Sequence, residues 1–312
     1  MRRLALLTLA AALIVAAPAA AAASSSSSKT KYVVSLGDSF SAGVQPGPGV
    51  SRSFSYPKVS YANQMLARAS KLLHTKLKLE MLACGGATTE SMVGADIKPC
   101  DPGASGFKLP YANTSPRTSQ LRYATRFLRD HRGQVAFVTM TMGGNDLLRC
   151  VDSATGGFDL NCITSSYGAI SSELPKIAAR VRQAAGPHVP VLGAGYYDPY
   201  LAFYLRGPDQ QALAQASLGI ESQLNATLRK AFKTAGWSFT NPDAVFGTNT
   251  PLDQTTNLDP YGQVPVAVAM VCEMSWMCAP APQGPNIHPN QAGYAAYASA
   301  LLSTLKKESW AG

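Results

Sequence analysis

Three glycine-rich turns each follow an apolar run, and each carries a residue type suited to acyl transfer. They are Gly37-Asp38-Ser39, Gly85-Gly86-Ala87 and Gly143-Gly144-Asn145. A serine that opens a helix directly after a strand places its hydroxyl beside free backbone N–H groups, which stabilise negative charge. Ser39 is therefore a candidate nucleophile, although a serine in this position can also serve only as a helix cap.

Acyl transfer also requires hydrogen-bond donors for the developing oxyanion and a base for the serine proton. The backbone N–H groups of Ser39 and Gly86 and the side-chain amide of Asn145 are the candidate donors. The third turn is also rich in ordinary turn-forming residues, so it could serve only as a turn. Of the four histidines, His288 is the candidate base because it directly precedes the last predicted helix. The other three are expected in exposed helices or loops.

Alternating strands and helices are expected to position these residues. The apolar pattern predicts strands over 32–36, 77–83, 134–142, 189–195 and 237–240, and helices over 56–73, 120–129, 171–185, 210–234 and 292–307. A long irregular segment is expected over 241–290. The alternation predicts an α/β fold, a three-layer α/β/α sandwich with a central, mainly parallel sheet of about five strands. The three turns should meet at the carboxyl edge of that sheet.

The first 23 residues have the pattern of a secretory signal peptide: a basic start, an apolar run broken by Pro18, and small residues up to Ala23. The run is too short and too interrupted to favour a membrane anchor. A Ser-rich spacer is expected over 24–30 and a single domain over 31–312. The protein is therefore predicted to be extracellular after cleavage near Ala23.

The cysteines and the net charge indicate more closely which class of protein this is. An exported chain with six cysteines is expected to form disulfides, and their proximity in sequence predicts Cys84–Cys100, Cys150–Cys162 and Cys272–Cys278. Zinc binding is the alternative, but the tight C-x2-C spacing is absent. The formal charge is +9, yet Lys and Arg are scattered, which disfavours nucleic-acid binding. The chain is expected to be a monomer that can contact a lipid interface transiently.

Four blocks together resemble the GDSL/SGNH hydrolases, especially secreted actinobacterial esterases and lipases. The blocks are Gly37-Asp38-Ser39, residues 83–89, Gly143-Gly144-Asn145-Asp146 and residues 288–294. The resemblance implies an SGNH-hydrolase-like, flavodoxin-like fold and a carboxylic-ester hydrolase. Ser39 and His288 would be catalytic, Ser39, Gly86 and Asn145 would form the oxyanion hole, and no metal or organic cofactor would be required.

Two positions depart from the family pattern. The family usually has an aspartate three residues before the histidine, where this chain has Pro285. The Pro285 backbone carbonyl is the favoured orienting group for His288, and a distant carboxylate (Asp243, Asp253 or Asp259) is the alternative. Gly85 stands where relatives often have serine, which is expected to change only the turn geometry.

The substrate is the least specified part of the prediction. Phe40, Trp276 and Met277 are the favoured pocket residues, within a larger set of apolar candidates: Phe54, Tyr56, Tyr196, Tyr197, Tyr200, Phe203 and Tyr204. An apolar pocket favours fatty-acyl esters, whereas phospholipids and acetylated glycans or polymers remain alternatives. A serine peptidase is a further alternative that the blocks do not suggest. A lipid- or glycan-binding protein on an inactive scaffold is the non-enzymatic alternative, disfavoured because Ser39, Asn145 and His288 are all present.

Overall fold

The computed structural model describes residues 30–47, 54–94, 109–111, 118–152 and 155–310. The predicted signal peptide and most of the predicted spacer lie outside these ranges. The described strands, in chain order, are β1 (Lys31–Gly37), β2 (Gln45–Pro46), β3 (Phe54–Ser55), β4 (Leu77–Met81), β5 (Val135–Thr141), β6 (Val191–Ala194), β7 (Ser238–Thr240), β8 (Thr255–Leu258), β9 (Gly262–Pro265), β10 (Ser275–Trp276) and β11 (Asn286–Pro289).

The helices connect these strands and flank the sheet. In chain order they are α1 (Ser39–Ala42), α2 (Tyr61–Leu72), α3 (Thr89–Val93), α4 (Gln120–Asp130), α5 (Gly144–Leu148), α6 (Leu160–Ala185), α7 (Pro208–Thr234), α8 (Asp243–Phe246), α9 (Val266–Met274) and α10 (Gln291–Trp310). A 3-10 helix, Pro199–Arg206, lies between β6 and α7. None of the described helices combines the length and apolar content needed to cross a membrane.

Five strands form the central parallel sheet, in the order β4-β1-β5-β6-β7. The chain passes from β1 to β4 on one side and then returns to place β5 on the other side of β1. This reversal makes the carboxyl end of β1 a topological switch point, where ligands bind in open α/β sheets. Ser39 follows β1, Gly86 follows β4 and Asn145 follows β5, so the three turns lie around this point.

Helices cover both faces of the sheet. Helices α2 and α10 pack against each other on one face, and α4, α6 and α7 pack in series on the other. The β1 and β5 interiors are fully buried, as expected for parallel strands covered on both sides. The predicted α/β/α sandwich with five strands is therefore confirmed.

Two parts of the prediction differ from the structure. Helix α6 begins at Leu160, eleven residues before the expected start, because Asp159 caps it by accepting hydrogen bonds from the N–H groups of Asn161 and Cys162, each at 3.0 Å. The segment expected to be irregular contains α8, α9 and two antiparallel strand pairs, β8–β9 and β10–β11. Helix α9 is apolar nearly all round, so it lacks the amphipathic period that would have indicated a helix.

Two of the three expected disulfides are confirmed, Cys150–Cys162 and Cys272–Cys278. Cys84 is also disulfide-bonded, and its expected partner, Cys100, lies outside the described residues. The Cys150–Cys162 bridge joins the segment after α5 to the first turn of α6, and the Cys272–Cys278 bridge joins the last turn of α9 to the segment after β10.

Candidate active site

Ser39 is the first residue of α1 and is 7% exposed. Asp38 caps the helix, with its Oδ1 accepting the Phe40 N–H at 3.1 Å. Gly43 ends the helix in the left-handed region, at φ 80°. Backbone N–H groups in the first turn of a helix have no partner within the helix, so the Ser39 N–H can face a negatively charged group.

The turn before Ser39 depends on a glycine. Gly37 has φ +114°, and a Cβ at this position would lie 1.9 Å from the Thr141 carbonyl oxygen on the neighbouring strand. The Gln120 side chain binds both sides of Gly37, accepting its N–H at 2.7 Å and donating to its carbonyl at 3.0 Å. Strand β1 can therefore run against β5 up to the residue before Asp38.

Asp38 is buried next to Ser39 and accepts three hydrogen bonds. Besides the Phe40 N–H, the Thr141 hydroxyl donates to Oδ1 at 2.7 Å and the Tyr196 hydroxyl donates to Oδ2. Burial raises the pKa of Asp38 to about 6, against the opposing effect of these hydrogen bonds. A Cβ on Gly144 would lie only 2.8 Å from the Tyr196 ring. Glycine in the third turn therefore leaves the space that Tyr196 needs to reach Asp38.

The second and third turns are joined by hydrogen bonds. The Asn145 Nδ2 donates to the Ala87 carbonyl at 2.9 Å, and the Thr89 hydroxyl donates to Asp146 Oδ1 at 2.5 Å. The second turn is also bound to the first, through the Cys84 N–H and the Gly37 carbonyl at 2.9 Å. The three turns that the sequence singles out therefore form one connected cluster at the carboxyl edge of the sheet.

This cluster presents donors of the kind that hold an oxyanion. Gly86 is exposed, with φ +78°, which orients its peptide as few other residues would allow. The Asn145 amide nitrogen carries two hydrogens, of which Ala87 takes one, and the other is available to a substrate oxygen. Together with the Ser39 N–H, these groups remain the predicted donors for an oxyanion.

His288 lies in β11, and the tautomer of its neutral ring follows from two contacts with Asn286. Asn286 Oδ1 accepts the His288 backbone N–H at 3.0 Å and lies 2.7 Å from the His288 Nδ1. A backbone N–H can only donate, so the Asn286 atom that it meets must be the oxygen. The Nδ1 that shares this oxygen therefore carries the proton, which leaves the Nε2 lone pair free to act as a base.

The His288 Nε2 is buried and has no hydrogen-bond partner among the described residues. The imidazole packs against the ring of Phe40, with the two ring centroids 5.8 Å apart. Phe40 directly follows Ser39 in the sequence. Burial lowers the pKa of His288 to about 4. The ring is therefore mostly neutral above about pH 5 and can accept a proton there.

The orienting group of His288 differs from the sequence prediction. The Pro285 carbonyl was favoured, and the structure instead places the Asn286 side chain on Nδ1. Nor is Asp243 the partner, since its Oδ2 accepts from Asn241 Nδ2 at 2.6 Å near the end of β7. Asn286 was a partial signal, because asparagine commonly accepts a hydrogen bond from the backbone N–H two residues later, but such an Asx turn does not by itself fix the partner of the ring nitrogen.

Neighbouring side chains hold the β11 segment in place. The Tyr197 hydroxyl donates to the Ile287 carbonyl at 2.6 Å, and Gln45 Nε2 donates to the Pro289 carbonyl at 2.8 Å. Gln45 is fixed in turn by the Trp276 Nε1, which donates to its Oε1 at 2.9 Å. His288 is thus set between two anchored carbonyls.

A cavity of about 90 Å³ opens at Ser39 and extends between α6, the 3-10 helix and α7. It shares Ser39, Gly144 and Asn145 with the cluster of turns. Most of its wall is apolar, formed by Phe40, Leu147, Leu148, Val151, Phe158, Ile163, Tyr196, Tyr197, Pro199, Tyr200, Ile220, Leu224 and Ile287. Asp198, Ser217 and Glu221 are polar exceptions beyond the cluster of turns.

Of the three favoured pocket residues, Phe40 lines this cavity. Trp276 and Met277 do not line this cavity. The β10–β11 pairing and the Cys272–Cys278 bridge direct Trp276 to Gln45 and leave Met277 buried, at 6% exposed. Trp276 pairs with Asn286 in the strand that carries His288, and Met277 packs into the hydrophobic core.

Glycine at position 85 also has a structural cause. A Cβ there would lie 2.5 Å from the Tyr56 hydroxyl. The serine that relatives often have at this position would clash with Tyr56, which lies against the second turn. Among the described residues, no group of His, Cys, Asp and Glu is arranged to hold a metal ion.

Comparison with solved structures supports the fold. An extracellular lipase from Streptomyces rimosus is 21% identical, with a TM-score of 0.50, over 88% of this chain and 99% of that one. A phospholipase A1 from Streptomyces albidoflavus is 20% identical, with a TM-score of 0.50, over 88% and 98% of the two chains. A lipase from a goat rumen metagenome is 15% identical, with a TM-score of 0.50, over 88% and 96%. At these identities the likeness establishes the fold alone.

Sequence comparison establishes the family. No curated protein sequence matches the chain significantly. The model of the GDSL-like lipase/acylhydrolase family matches residues 35–296, a range that contains all three turns and His288. The chain belongs to the GDSL-like lipase/acylhydrolase family.

Proposed function

We propose that the protein is a secreted carboxylic-ester hydrolase that works through an acyl-enzyme on Ser39. The observation that carries the proposal is the free, buried Nε2 of His288, whose tautomer Asn286 fixes beside the helix that begins at Ser39. The cavity that Ser39 shares with Asn145 adds a place for substrate next to the oxyanion donors.

The proposed reaction has two half-reactions. Ser39 Oγ attacks the ester carbonyl carbon while its proton passes to His288 Nε2, and the carbonyl oxygen becomes an oxyanion held by the Ser39 N–H, the Gly86 N–H and the Asn145 amide. The intermediate collapses, and the leaving alkoxide takes the proton from His288. Water then attacks the acyl-enzyme with His288 as base, which releases the acid and restores Ser39.

Asn286 takes the place that a carboxylate occupies in a Ser-His-Asp triad. Its amide oxygen fixes the ring orientation and tautomer but adds no full negative charge to stabilise the imidazolium. Burial lowers the pKa of His288 to about 4, and the neutral amide adds no charge that would raise it, so the base stays neutral in mild acid. The proposed enzyme should therefore retain activity at lower pH than a triad that raises the histidine pKa.

The cavity favours acyl chains longer than acetyl. Its wall is mostly apolar, and apolar surface stabilises methylene groups transferred from water by about 0.8 kcal/mol for each group buried. Asn145 lines the cavity and His288 does not. Because His288 has to face the leaving alcohol, the cavity is assigned to the acyl side of the ester.

Export is the second part of the proposal. The disulfides among the described residues suit an oxidising compartment. The first 23 residues have the pattern of a signal peptide and lie outside the described residues. Expression of the full chain in a secreting bacterial host, followed by N-terminal sequencing of protein in the culture medium, tests this. A chain retained in the cells with Met1 intact would contradict it.

Steady-state hydrolysis of p-nitrophenyl esters from acetyl to palmitoyl tests the enzymatic part. Wild type should turn over esters, and Ser39→Ala should lower kcat by roughly 10⁴-fold or more, since the nucleophile is lost. Ser172→Ala, which removes an exposed hydroxyl on α6, is the matched control and should keep full activity. Absence of turnover with every ester, or equal turnover by Ser39→Ala, would favour a binding protein on an inactive scaffold.

A further inference from the structure

The cavity at Ser39 has one polar wall, on the first half of α7. Ser217, Ile220, Glu221 and Leu224 all line it, because residues spaced by three, four and seven lie on one face of a helix. Asp198 lines it from the loop before the 3-10 helix. The polar wall, defined here as Asp198, Ser217 and Glu221, contrasts with the aliphatic and aromatic groups around most of the cavity.

Hydrogen bonds fix this polar wall in place. The Ser217 hydroxyl lies 2.6 Å from Asp198 Oδ2, and the Tyr200 N–H donates to Asp198 Oδ1 at 2.9 Å. Asn225 Nδ2 donates to Glu221 Oε1, and the same side chain binds both backbone groups of Tyr196. The wall is therefore connected to Tyr196, whose hydroxyl reaches Asp38 next to Ser39.

No described Lys or Arg neutralises the wall by an ion pair. Glu221 is 7% exposed and Asp198 is 1% exposed. Burial raises the pKa of Asp198 to about 7, and burial together with the neighbouring Asp243 raises the pKa of Glu221 well above its usual value. Both groups therefore tend to the neutral carboxyl form, which can donate as well as accept a hydrogen bond.

A saturated chain and a hydroxylated chain would meet this wall differently. Methylene groups packed on it would offer no hydrogen bond to the carboxyl and hydroxyl groups that face the cavity, and apolar contact with such groups is unfavourable. A hydroxyl both donates and accepts, so it can pair with these groups in either protonation state. The rest of the cavity still accommodates the hydrocarbon part of the chain.

We propose that the polar wall makes the enzyme selective for acyl groups that carry a hydroxyl along the chain, over saturated acyl groups of equal length. The inference rests on the proposed ester hydrolysis and on the assignment of the cavity to the acyl side. Glu221 and Ser217 are the specificity-determining residues, and they take no part in the bond-making steps.

The test compares p-nitrophenyl octanoate with p-nitrophenyl esters of hydroxyoctanoic acids, with the hydroxyl moved along the chain. For wild type, at least one hydroxylated ester should have a kcat/KM about three- to tenfold above that of octanoate, the gain expected from one or two net hydrogen bonds. Glu221→Leu should abolish this preference and raise the kcat/KM for octanoate. Ser217→Ala should reduce the preference.

Two further variants make the result decisive. Glu221→Gln keeps the shape and hydrogen-bonding capacity of a neutral carboxyl and should retain a preference, which provides a folded comparison if Glu221→Leu is unstable. Gln223→Leu changes an exposed residue of the same helix and should behave as wild type. No preference for any hydroxylated ester, or an unchanged preference in Glu221→Leu and Ser217→Ala, would overturn the inference. If octanoate itself is hydrolysed in those cases, the proposed function stands; if no ester is hydrolysed, it fails as well.

Discussion

Replacing Asn286 by aspartate should move the acid limit of activity upward. Asn286 Oδ1 lies 2.7 Å from the His288 Nδ1, and the aspartate would place a negative charge at that position. The charge favours the protonated imidazole, so the pKa of His288 rises from its value of about 4. Because the base must be neutral to take the Ser39 proton, activity is lost as pH falls through that pKa.

The size of the effect follows from the contact. An opposite charge within about 4–6 Å shifts a pKa by roughly one to three, which places the variant's acid limb between about pH 5 and pH 7. At pH 5, wild-type His288 with a pKa of about 4 is mostly neutral. With a pKa near 6, roughly a tenth of the enzyme would be neutral, so kcat/KM should fall about tenfold below its plateau.

The assay is the pH profile of kcat/KM from pH 3.5 to 9, with released acid quantified by chromatography so that the signal does not depend on pH. Asn63→Asp is the control, because it adds the same charge in the first turn of α2, where a negative charge is favourable at the helix N-terminus. Its pH profile of kcat/KM should overlay that of the wild type. The role assigned to Asn286 would be refuted if activity of the wild type were lost on the acid side near pH 6.5. It would also be refuted if the acid limbs of the kcat/KM profiles were identical for wild type and Asn286→Asp.

Three further predictions follow from the same geometry. Asn145→Ala should lower kcat by about 10²–10³-fold with little change in KM, because it removes a donor used mainly in the transition state; a loss below tenfold would remove Asn145 from the oxyanion hole. Gly37→Ala should prevent folding or lower the free energy of unfolding in urea by more than about 3 kcal/mol, because its Cβ would lie 1.9 Å from a backbone oxygen. Gly133→Ala, which has open space at φ +76°, should lower it by only about 1–2 kcal/mol. Equal losses in the two variants would contradict the packing argument. Leu224→Trp should fill the cavity and lower kcat/KM for octanoate at least about tenfold while acetate is still hydrolysed; an equal loss on both esters would contradict the acyl assignment.

The sequence was most informative where backbone geometry decides the outcome. The apolar runs that end at Gly37, near Gly85 and at Gly143 predicted three strands and a common edge, because parallel strands bring their carboxyl ends together. Two disulfides followed from sequence proximity alone. These features depend on local composition and on topology rules, both of which can be read along a chain.

Side-chain direction was the main source of error. The spacing of Asn286, Ile287 and His288 does not say whether the ring nitrogen meets a backbone carbonyl or an amide, and the favoured Pro285 carbonyl was wrong. Trp276 lies close to His288 along the chain, yet the β10–β11 pairing directs its indole N–H to Gln45. Helix α9 was missed because its residues are apolar nearly all round, which removes the amphipathic period.

The polar wall was missed for a related reason. Ser217 and Glu221 lie on a long helix on which most of the other polar residues face solvent, so nothing in the sequence separates them from a solvated face. Only the packing of α7 against the 3-10 helix places them beside the cavity. Long-range packing of this kind depends on how the elements meet, which a single sequence does not specify.

Covalent labelling of the nucleophile tests the central claim most directly. Wild type, His288→Ala and Ser39→Ala would be incubated with diethyl p-nitrophenyl phosphate, and the adduct located by peptide mass spectrometry. The account predicts one adduct per chain, on Ser39, with loss of esterase activity in step with labelling, much slower labelling of His288→Ala and none of Ser39→Ala. Labelling at another residue, or a fully labelled Ser39 in an enzyme that still hydrolyses esters, would contradict it.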